Sequence, residues 1–311
     1  MTGTISTHGW QKAAGFIANH GTNLQRELFD FHFNGGSQAN VLAALSHYRN
    51  ADGGFGHGLE ADLRTRQSSV VATTVALQII DEVGAMNHPL ARDAVAYLAV
   101  NYTGGNWPLV SESCNDAPHA PWWHYDPDWA SRKAFLPNPA VEVLSYLISC
   151  CAMGETTRLE LWQRSLDWIT DNPLEMHELL CYLRLYDNPK LPADHKRQLL
   201  PLILAQAYQL VKVAPADWEE YVLMPMSVVP HPDSPLMAFF GDLLDENFAW
   251  QLLRQSEDGS WSPSWSWGNA WPGAWRLAEV EIKATLTLRF LIQLQRFGRL
   301  PQPHVVRLAR G

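Results

Sequence analysis

Four ionisable side chains fall within eight positions of the chain, between two apolar segments: His57, Glu60, Asp62 and Arg64. A carboxylic acid that is held in an apolar, aromatic-lined cavity keeps its proton more readily and can donate it to a substrate. We therefore interpret this group as the candidate catalytic centre, with Asp62 or Glu60 as the acid and Arg64 and His57 as the residues that orient it. The alternative is an ion pair to Arg64 that only fastens the loop.

A second stretch combines aromatic and titratable side chains over ten positions: His119, Trp122, Trp123, His124, Asp126 and Asp128. The face of an aromatic ring attracts positive charge, as a carbocation intermediate requires, but it also stacks on sugar rings. Asp126 and His124 are therefore further catalytic candidates, and His119, Trp122 and Trp123 are candidates for substrate contact. The alternative for Asp126 is an ordinary turn.

Tryptophan is abundant, with 14 residues, and several of them fall in loops instead of at helical spacing. Aromatic side chains on loops line pockets or staple turns to neighbouring helices. Polar residues at or near the starts of apolar helices are a second group that can reach a cavity; Glu142 is one of them. The remaining substrate-binding candidates are Trp107, Asn138, His177, Trp265, Trp267, Trp271 and Glu281.

Metal and cofactor signals are weak. Cys114, His119 and His124 are spaced by five and five positions, which is not a zinc pattern, although Asp116 or Asp126 could join them. No P-loop occurs, and no Gly-x-Gly-x-x-Gly follows a strand. We expect no metal and no cofactor.

The elements that must position these residues repeat. Asp52-Gly-Gly-Phe-Gly56, Gly104-Gly-Asn-Trp107 and Glu257-Asp-Gly-Ser-Trp261 each follow a helical pattern. Phe55 and Trp107 lie 52 positions apart, and Trp107 and Trp261 lie 154 apart. A period of about 50 residues gives about six units, and a helix pair of this kind must stack on its neighbours to bury its apolar face. We predict an all-α fold, an (α/α)6 toroid that forms a single domain over residues 1–311.

Apolar periodicity gives the individual helices. The segment 69–83 is apolar almost all round, which is typical of a helix covered on both sides. Ser37 is a plausible N-cap, and Asn138-Pro139 reads as an N-cap followed by the first helical residue. The predicted helical segments are 7–33, 37–48, 69–83, 90–102, 138–151, 158–171, 174–187, 195–211, 236–256 and 279–297.

Bulk properties exclude several classes of function. The net charge of −9 and the absence of a long basic run argue against a nucleic-acid partner. No apolar stretch of about 18 residues is present, so we expect no transmembrane segment. No basic region followed by an apolar core begins the chain, and four cysteines show no paired spacing. We expect a cytoplasmic protein, and the sequence leaves its oligomeric state open.

The repeated turns resemble those of the terpenoid cyclase and protein prenyltransferase α/α toroids. Leu253-Arg-Gln255-Ser-Glu-Asp-Gly-Ser-Trp261 is similar to a squalene-cyclase repeat, and Asp52-Gly-Gly-Phe-Gly56 is similar to a prenyltransferase repeat. The resemblance implies the toroid and a central cavity. The chemistry motifs of these families do not carry over, because the chain has no Asp-Asp dipeptide and no Asp-x-Cys zinc pair.

We therefore expect a terpenoid cyclase-like or isomerase-like enzyme that acts on a small apolar, isoprenoid-type molecule by acid-initiated chemistry in a Trp-lined cavity. One alternative is a carbohydrate-active toroid, a lyase or a hydrolase, because the same carboxylates and aromatic platforms serve sugars. The other is a non-catalytic module that binds a hydrophobic ligand or a peptide.

Overall fold

A computed structural model describes residues 3–128 and 134–301. The described part is all-α, as predicted, with isolated backbone bridges and no extended strand among these residues. The α-helices in chain order are α1 Thr7–His20, α2 Asn23–Phe33, α3 Gln38–Ser46, α4 Val70–Glu82, α5 Pro89–Val100, α6 Pro137–Cys150, α7 Glu155–Asp171, α8 Met176–Asp187, α9 Ala193–Leu210, α10 Pro225–Val228, α11 Met237–Phe240, α12 Leu244–Leu252 and α13 Pro272–Arg296.

Side-chain caps explain where several helices begin. The hydroxyls of Ser6, Thr22, Ser37 and Ser69 each accept a hydrogen bond from the backbone N–H at the third position after them, at the starts of α1, α2, α3 and α4. The predicted cap at Ser37 is therefore confirmed. No described helix is both long enough and apolar enough to cross a membrane.

Three boundaries differ from the prediction. The segment 236–256 is not one helix but two short ones, α11 and α12. Helix α13 begins at Pro272, seven positions before the predicted start. Helix α6 begins at Pro137, and Asn138 has a non-helical backbone with φ −93° and ψ 105°, so the predicted N-cap is instead the second residue of a kinked helix start.

The chain divides into two compact units. The first comprises Met1–Gly35, Lys212–Trp265 and Glu279–Gly311, and the second comprises Gly36–Val211 and Ser266–Ala278. The closed (α/α)6 ring and its extension over the whole chain stay predictions.

In the second unit, α6 packs against α4 on one side and α8 on the other, with α5 and α7 behind them. Almost every residue of α6 from Pro139 to Leu147 is buried, which explains the continuous apolar character of this segment. The loops that precede α4 and α6 carry most of the predicted site residues.

The turn before α4 is fixed by hydrogen bonds from three backbone N–H groups. Asn50 N–H donates to the carbonyl of Gly54 at 2.9 Å, and Gly54 N–H donates to Oδ1 of Asp52 at 2.9 Å. The fully buried Phe55 donates its N–H to Oγ1 of Thr73 on α4, at 3.1 Å. The turn thus presents one aromatic ring to the core and ties its backbone to the next helix.

The turn between α12 and α13, in the first unit, is built in the same way. Ser256 N–H donates to the carbonyl of Ser260 at 2.9 Å, and Ser260 N–H donates to Oδ1 of Asp258 at 2.9 Å. The buried Trp261 donates its N–H to Oγ1 of Thr287 at 3.1 Å. The repeat that the sequence suggests is therefore a repeat of hydrogen bonds as well as of residue types.

Candidate functional site

Asp62 lies at the centre of the candidate site. Its side chain is buried, with 7% of its surface exposed, and Oδ1 accepts a hydrogen bond of 2.6 Å from the indole nitrogen of Trp267. Both residues belong to the second unit. A short hydrogen bond from a fixed donor stabilises the carboxylate form of the acid. Two predicted site residues that are distant in sequence are thereby brought into direct contact.

The backbone on either side of Asp62 pairs with the aromatic loop. Ala120 N–H donates to the carbonyl of Asp62 at 2.8 Å, and Arg64 N–H donates to the carbonyl of Pro118 at 2.9 Å. Leu63, between them, packs into a small core with Val71, at the start of α4, and other buried residues. This pairing holds His119 opposite Leu63 and fixes the two predicted clusters as one site.

Two histidines form a hydrogen-bonded pair beside this backbone pairing. His119 Nδ1 lies 2.6 Å from the carbonyl oxygen of Ala117, and its Nε2 lies 3.2 Å from Nδ1 of His124. A carbonyl oxygen can only accept, so Nδ1 of His119 carries a proton. When both rings are neutral, His124 therefore donates from Nδ1 and leaves its Nε2 as an acceptor on an exposed side chain.

The remaining ionisable residues of the first cluster lie around the loop. Glu60 Oε1 lies 3.4 Å from the backbone nitrogen of Asp62. The guanidinium of Arg64 packs over Gly58, whose φ is 77°. His57 is exposed and its Nε2 lies 2.9 Å from Oδ1 of Asn50. Trp267 therefore contacts Asp62 directly, whereas His57 contacts Asn50.

Three tryptophans contribute partly accessible surface near this loop. Trp122 and Trp271 are 48% and 46% exposed, and the ring centre of Trp271 lies 6.3 Å from that of His119. Trp123 packs against the Leu63 core, and its buried indole nitrogen has no hydrogen-bond partner within the described residues. The site therefore offers exposed ring faces and one unused buried donor.

Two predicted site residues make contacts within their own loops and with a neighbouring helix. Trp107 is fully buried, donates its indole N–H to the carbonyl of Leu98 at 2.6 Å and packs on Tyr102, so it staples its turn to α5. Asp126 accepts the N–H of Asp128 at 2.9 Å, which is the ordinary turn that we gave as its alternative.

Other candidates lie on other elements. His177, on α8, lies 2.9 Å from the carboxylate of Glu175, the N-cap residue of that helix. Trp265 and Glu281 belong to the first unit. There Trp265 meets Tyr221 edge to face, and the carbonyl of Glu281 accepts a hydrogen bond of 2.8 Å from Gln25.

A buried polar cluster around Glu142 joins α4, α6 and α8, and the sequence analysis named only Glu142 and Asn138 from it. The Glu142 carboxylate accepts from Gln78 Nε2 and from the Tyr146 hydroxyl, each at 2.7 Å. Arg184 Nη1 donates to its other oxygen at 3.1 Å. The available sequence signal was the presence of Glu142 and Arg184 inside otherwise apolar helical runs.

The thiol of Cys181 completes this cluster. Its Sγ lies 3.8 Å from Glu142 Oε2 and 3.8 Å from Oδ1 of Asn138. Burial, and next the Glu142 charge, raise the pKa of the Cys181 thiol and of the Tyr146 hydroxyl well above their usual values. Both groups therefore keep their protons and act as donors to Glu142.

Within residues 3–128 and 134–301, no three His, Cys, Asp or Glu side chains are grouped so as to hold a metal ion. Two surface grooves of the second unit, with volumes of about 400 and 420 Å³, are lined by other segments: α3 with the start of α5, and α5 with Asp52 and Ser111. Comparison with protein-family models, curated proteins and solved structures finds no match to this chain.

Proposed function

We propose that this chain is an enzyme that isomerises or cyclises a small apolar, isoprenoid-type molecule by adding a proton at one carbon and removing one from another. One observation carries the proposal. A buried carboxylate, Asp62, has an indole donor on one oxygen, and the backbone around it pairs with the segment that holds two hydrogen-bonded imidazoles.

The acid step falls to Asp62. In its protonated form Asp62 adds its proton to a carbon–carbon double bond, which leaves a carbocation on the substrate and a carboxylate on the protein. The indole N–H of Trp267, 2.6 Å from Oδ1, stabilises the carboxylate as it forms. The exposed aromatic faces of Trp122 and Trp271 supply electron-rich surface that stabilises a nearby cation.

The base step falls to the histidine pair. His124 Nε2 takes a proton from a carbon next to the cationic centre, and the electrons of that C–H bond form the new double bond. His119, with its Nδ1 proton bound to the carbonyl of Ala117, holds His124 in the required orientation. The proton returns from His124 to Asp62 through solvent, so that the cycle consumes no co-reactant.

The predicted ring is part of the same proposal. In the second unit, a Cβ at Gly53 would lie 2.8 Å from the carbonyl oxygen of Asp93 on α5, so this turn packs closely on the second helix after it. In the first unit, Gly259 makes the same kind of close approach to the backbone of Lys12 on α1. Each turn is therefore in close contact with a helix other than the one that it directly precedes, as stacked repeats require.

A second candidate function is action on a carbohydrate, as a lyase or hydrolase. The observation that favours it is the exposure of Trp122 and Trp271, since ring faces open to solvent suit stacking on sugars better than the wall of a closed apolar cavity. In that case Asp62 and the histidine pair supply the acid and the base for cleavage.

The test is turnover of a panel of polyenes, polyprenyl diphosphates and oligosaccharides in D2O, with product analysis by mass spectrometry. We expect a polyene or prenyl substrate to gain one deuterium per turnover. Asp62→Asn should lower the rate by about 100-fold or more, the usual range for a general acid. Asp171→Asn, an exposed aspartate at the end of α7, serves as the matched control and should leave the rate unchanged.

Each contrary result assigns a different function. Products from oligosaccharides alone would favour the carbohydrate enzyme. Ligand binding with no turnover, and with equal affinity in wild type and Asp62→Asn, would point to the non-catalytic binding module. A rate in Asp62→Asn equal to that of the control would remove Asp62 from the mechanism.

A further inference from the structure

Arg184 differs from the other members of the Glu142 cluster because it is accessible. Its side chain is 38% exposed, whereas the Glu142 side chain to which it binds is only 4% exposed. Its neighbours on α8, from Cys181 to Leu183 and then Leu185, are buried. Burial opposes the charge of Arg184, but the Glu142 carboxylate acts together with Cys181 and Tyr146 in the opposite direction and leaves the pKa of the guanidinium above its usual value. Arg184 thus binds a buried carboxylate while part of its own side chain stays accessible to solvent.

Side chains from the two flanking helices, α4 and α8, surround Glu142. Gln78 on α4 and Arg184 on α8 are both partly accessible, and both donate to Glu142, which is buried on α6 between them. Leu180 and His177, one and two turns before Arg184 on the same face of α8, are also partly accessible. Two partly accessible donors, Gln78 and Arg184, therefore converge on one buried carboxylate.

Within residues 3–128 and 134–301, the hydrogen bond of Arg184 leaves two of its three guanidinium nitrogens unused. Nη1 is occupied by Glu142, and neither Nε nor Nη2 has a partner within the described residues. These two nitrogens form one edge of the planar guanidinium, and their N–H bonds run parallel, which matches two oxygens of a carboxylate or phosphate. Glu142 holds the guanidinium so that this edge is fixed in place.

A purely structural ion pair would not need this arrangement. A charge pair buried in a helical core is often replaced without loss by apolar residues, so its presence is weak support for a role in stability. Glu142 also accepts hydrogen bonds from Tyr146, Gln78 and Cys181, which orient the carboxylate further. These hydrogen bonds hold Glu142 in place, and Glu142 in turn holds the guanidinium of Arg184, whose Nε and Nη2 edge is free of partners in the part of the chain that the structure describes. Such an arrangement is typical of a preorganised binding group.

We propose that Arg184 is the anion-recognising residue of a ligand site on α4, α6 and α8, and that it binds an oxyanion group, a carboxylate or a phosphate, through Nε and Nη2. The proposal concerns binding alone and does not depend on the reaction proposed at Asp62. It adds that the natural ligand of this chain has an anionic end.

Titration calorimetry at low salt with two probes, inorganic pyrophosphate and hexanoate, tests the proposal and identifies the kind of oxyanion. We expect wild type to bind at least one probe. Arg184→Lys keeps the charge but loses the two-nitrogen edge, and should weaken binding by about tenfold or more. Arg49→Met is the matched control, because Arg49 is about as exposed as Arg184 and also binds a carboxylate through one Nη, but that carboxylate, Asp93, is 44% exposed instead of buried. It should bind the probe as wild type does.

Arg184→Met leaves Glu142 without its charge partner and can fail to fold for that reason. The double variant Glu142→Met with Arg184→Met removes both charges and should fold, as circular dichroism can verify, yet bind neither probe. Binding of neither probe to wild type would overturn the proposal. Retained binding in Arg184→Lys or in the folded double variant would also overturn it, as would an equal loss in Arg49→Met.

Discussion

Trp267 and Asp62 are 205 positions apart in the chain and are joined by a 2.6 Å hydrogen bond between two buried side chains. An indole N–H can only donate, so Oδ1 of Asp62 is the acceptor in this hydrogen bond. Trp107 offers a comparison within the same unit, because its buried indole donates over the same distance, 2.6 Å, to an uncharged carbonyl.

Trp267→Phe should therefore destabilise the protein more than Trp107→Phe does. Each change keeps an aromatic ring and removes a hydrogen bond, but a hydrogen bond to a charged acceptor contributes about 1.5–3 kcal/mol and one to a neutral acceptor about 0.5–1.5 kcal/mol. Urea unfolding at neutral pH measures both. In an Asp62→Asn background the extra loss at Trp267 should shrink. Equal losses in the two backgrounds would show that the Asp62 charge does not contribute to this contact.

In each of the two repeated turns, one threonine hydroxyl accepts a hydrogen bond from a backbone N–H. Thr73 Oγ1 and Thr287 Oγ1 accept the N–H groups of Phe55 and Trp261, both at 3.1 Å. Thr→Val at either position keeps the shape but leaves a buried N–H without its acceptor, so each should cost about 1–3 kcal/mol in the free energy of unfolding. Thr170→Val on the exposed face of α7 is the control and should cost much less.

Gly259 tests the packing of the turn before α13 on α1. Its φ is 93°, and an added Cβ would overlap the backbone of Lys12. Gly35 has a φ of 70° but no atom within 4 Å of an added Cβ, so Gly35→Ala measures the cost of the backbone conformation alone. That cost is about 1–2 kcal/mol.

Gly259→Ala should cost about 1–3 kcal/mol more than Gly35→Ala, since α1 or the turn must shift. Thermal and urea unfolding of the two variants give the comparison. A loss no greater than that of Gly35→Ala would mean that α1 is not held against this turn.

Much of the fold follows from periodicity and capping. The helix pair in 7–33 and the helices α3 to α9 lie where the apolar spacing predicts them, because each buries one face and begins at a cap or at the end of a loop. The break between α11 and α12 was not predictable, since the apolar pattern of 236–256 continues across it. Tertiary packing overrides a helical pattern at such a point.

The sequence indicates which residue types belong to the candidate site, but it does not indicate which of these residues are in contact. Asp62, His119, His124 and Trp267 were each chosen for their chemistry, but nothing in the spacing indicates that Trp267 bonds to Asp62. His57, the expected partner, lies closer to Asp62 in sequence, but its side chain contacts Asn50 instead. His57 has a left-handed backbone with φ 56° as part of the turn. Contacts across long separations depend on how the helices pack, and a single sequence does not encode that directly.

His195 is expected to make stability depend on pH in the weakly acidic range. Its ring stacks on Trp162, with ring centres 3.9 Å apart and planes 7° apart, and its buried Nδ1 has no partner within the described residues. Desolvation lowers the pKa of His195 from the ordinary value of 6.5. Below pH 6.5 the unfolded chain therefore binds this proton more readily than the folded protein does, so the contribution is present above that pH and is lost as the pH falls.

His195→Phe keeps the stacked ring and removes the titration. The free energy of unfolding, measured in urea at several values between pH 7.5 and pH 5, should therefore fall less steeply in this variant than in wild type. His47→Gln, which removes an exposed histidine after α3, controls for the loss of one titrating group. If His195→Phe followed the wild-type curve while its unfolding remained two-state, protonation of His195 would not be a source of acid sensitivity, and the stacking on Trp162 would have to be compatible with a charged ring.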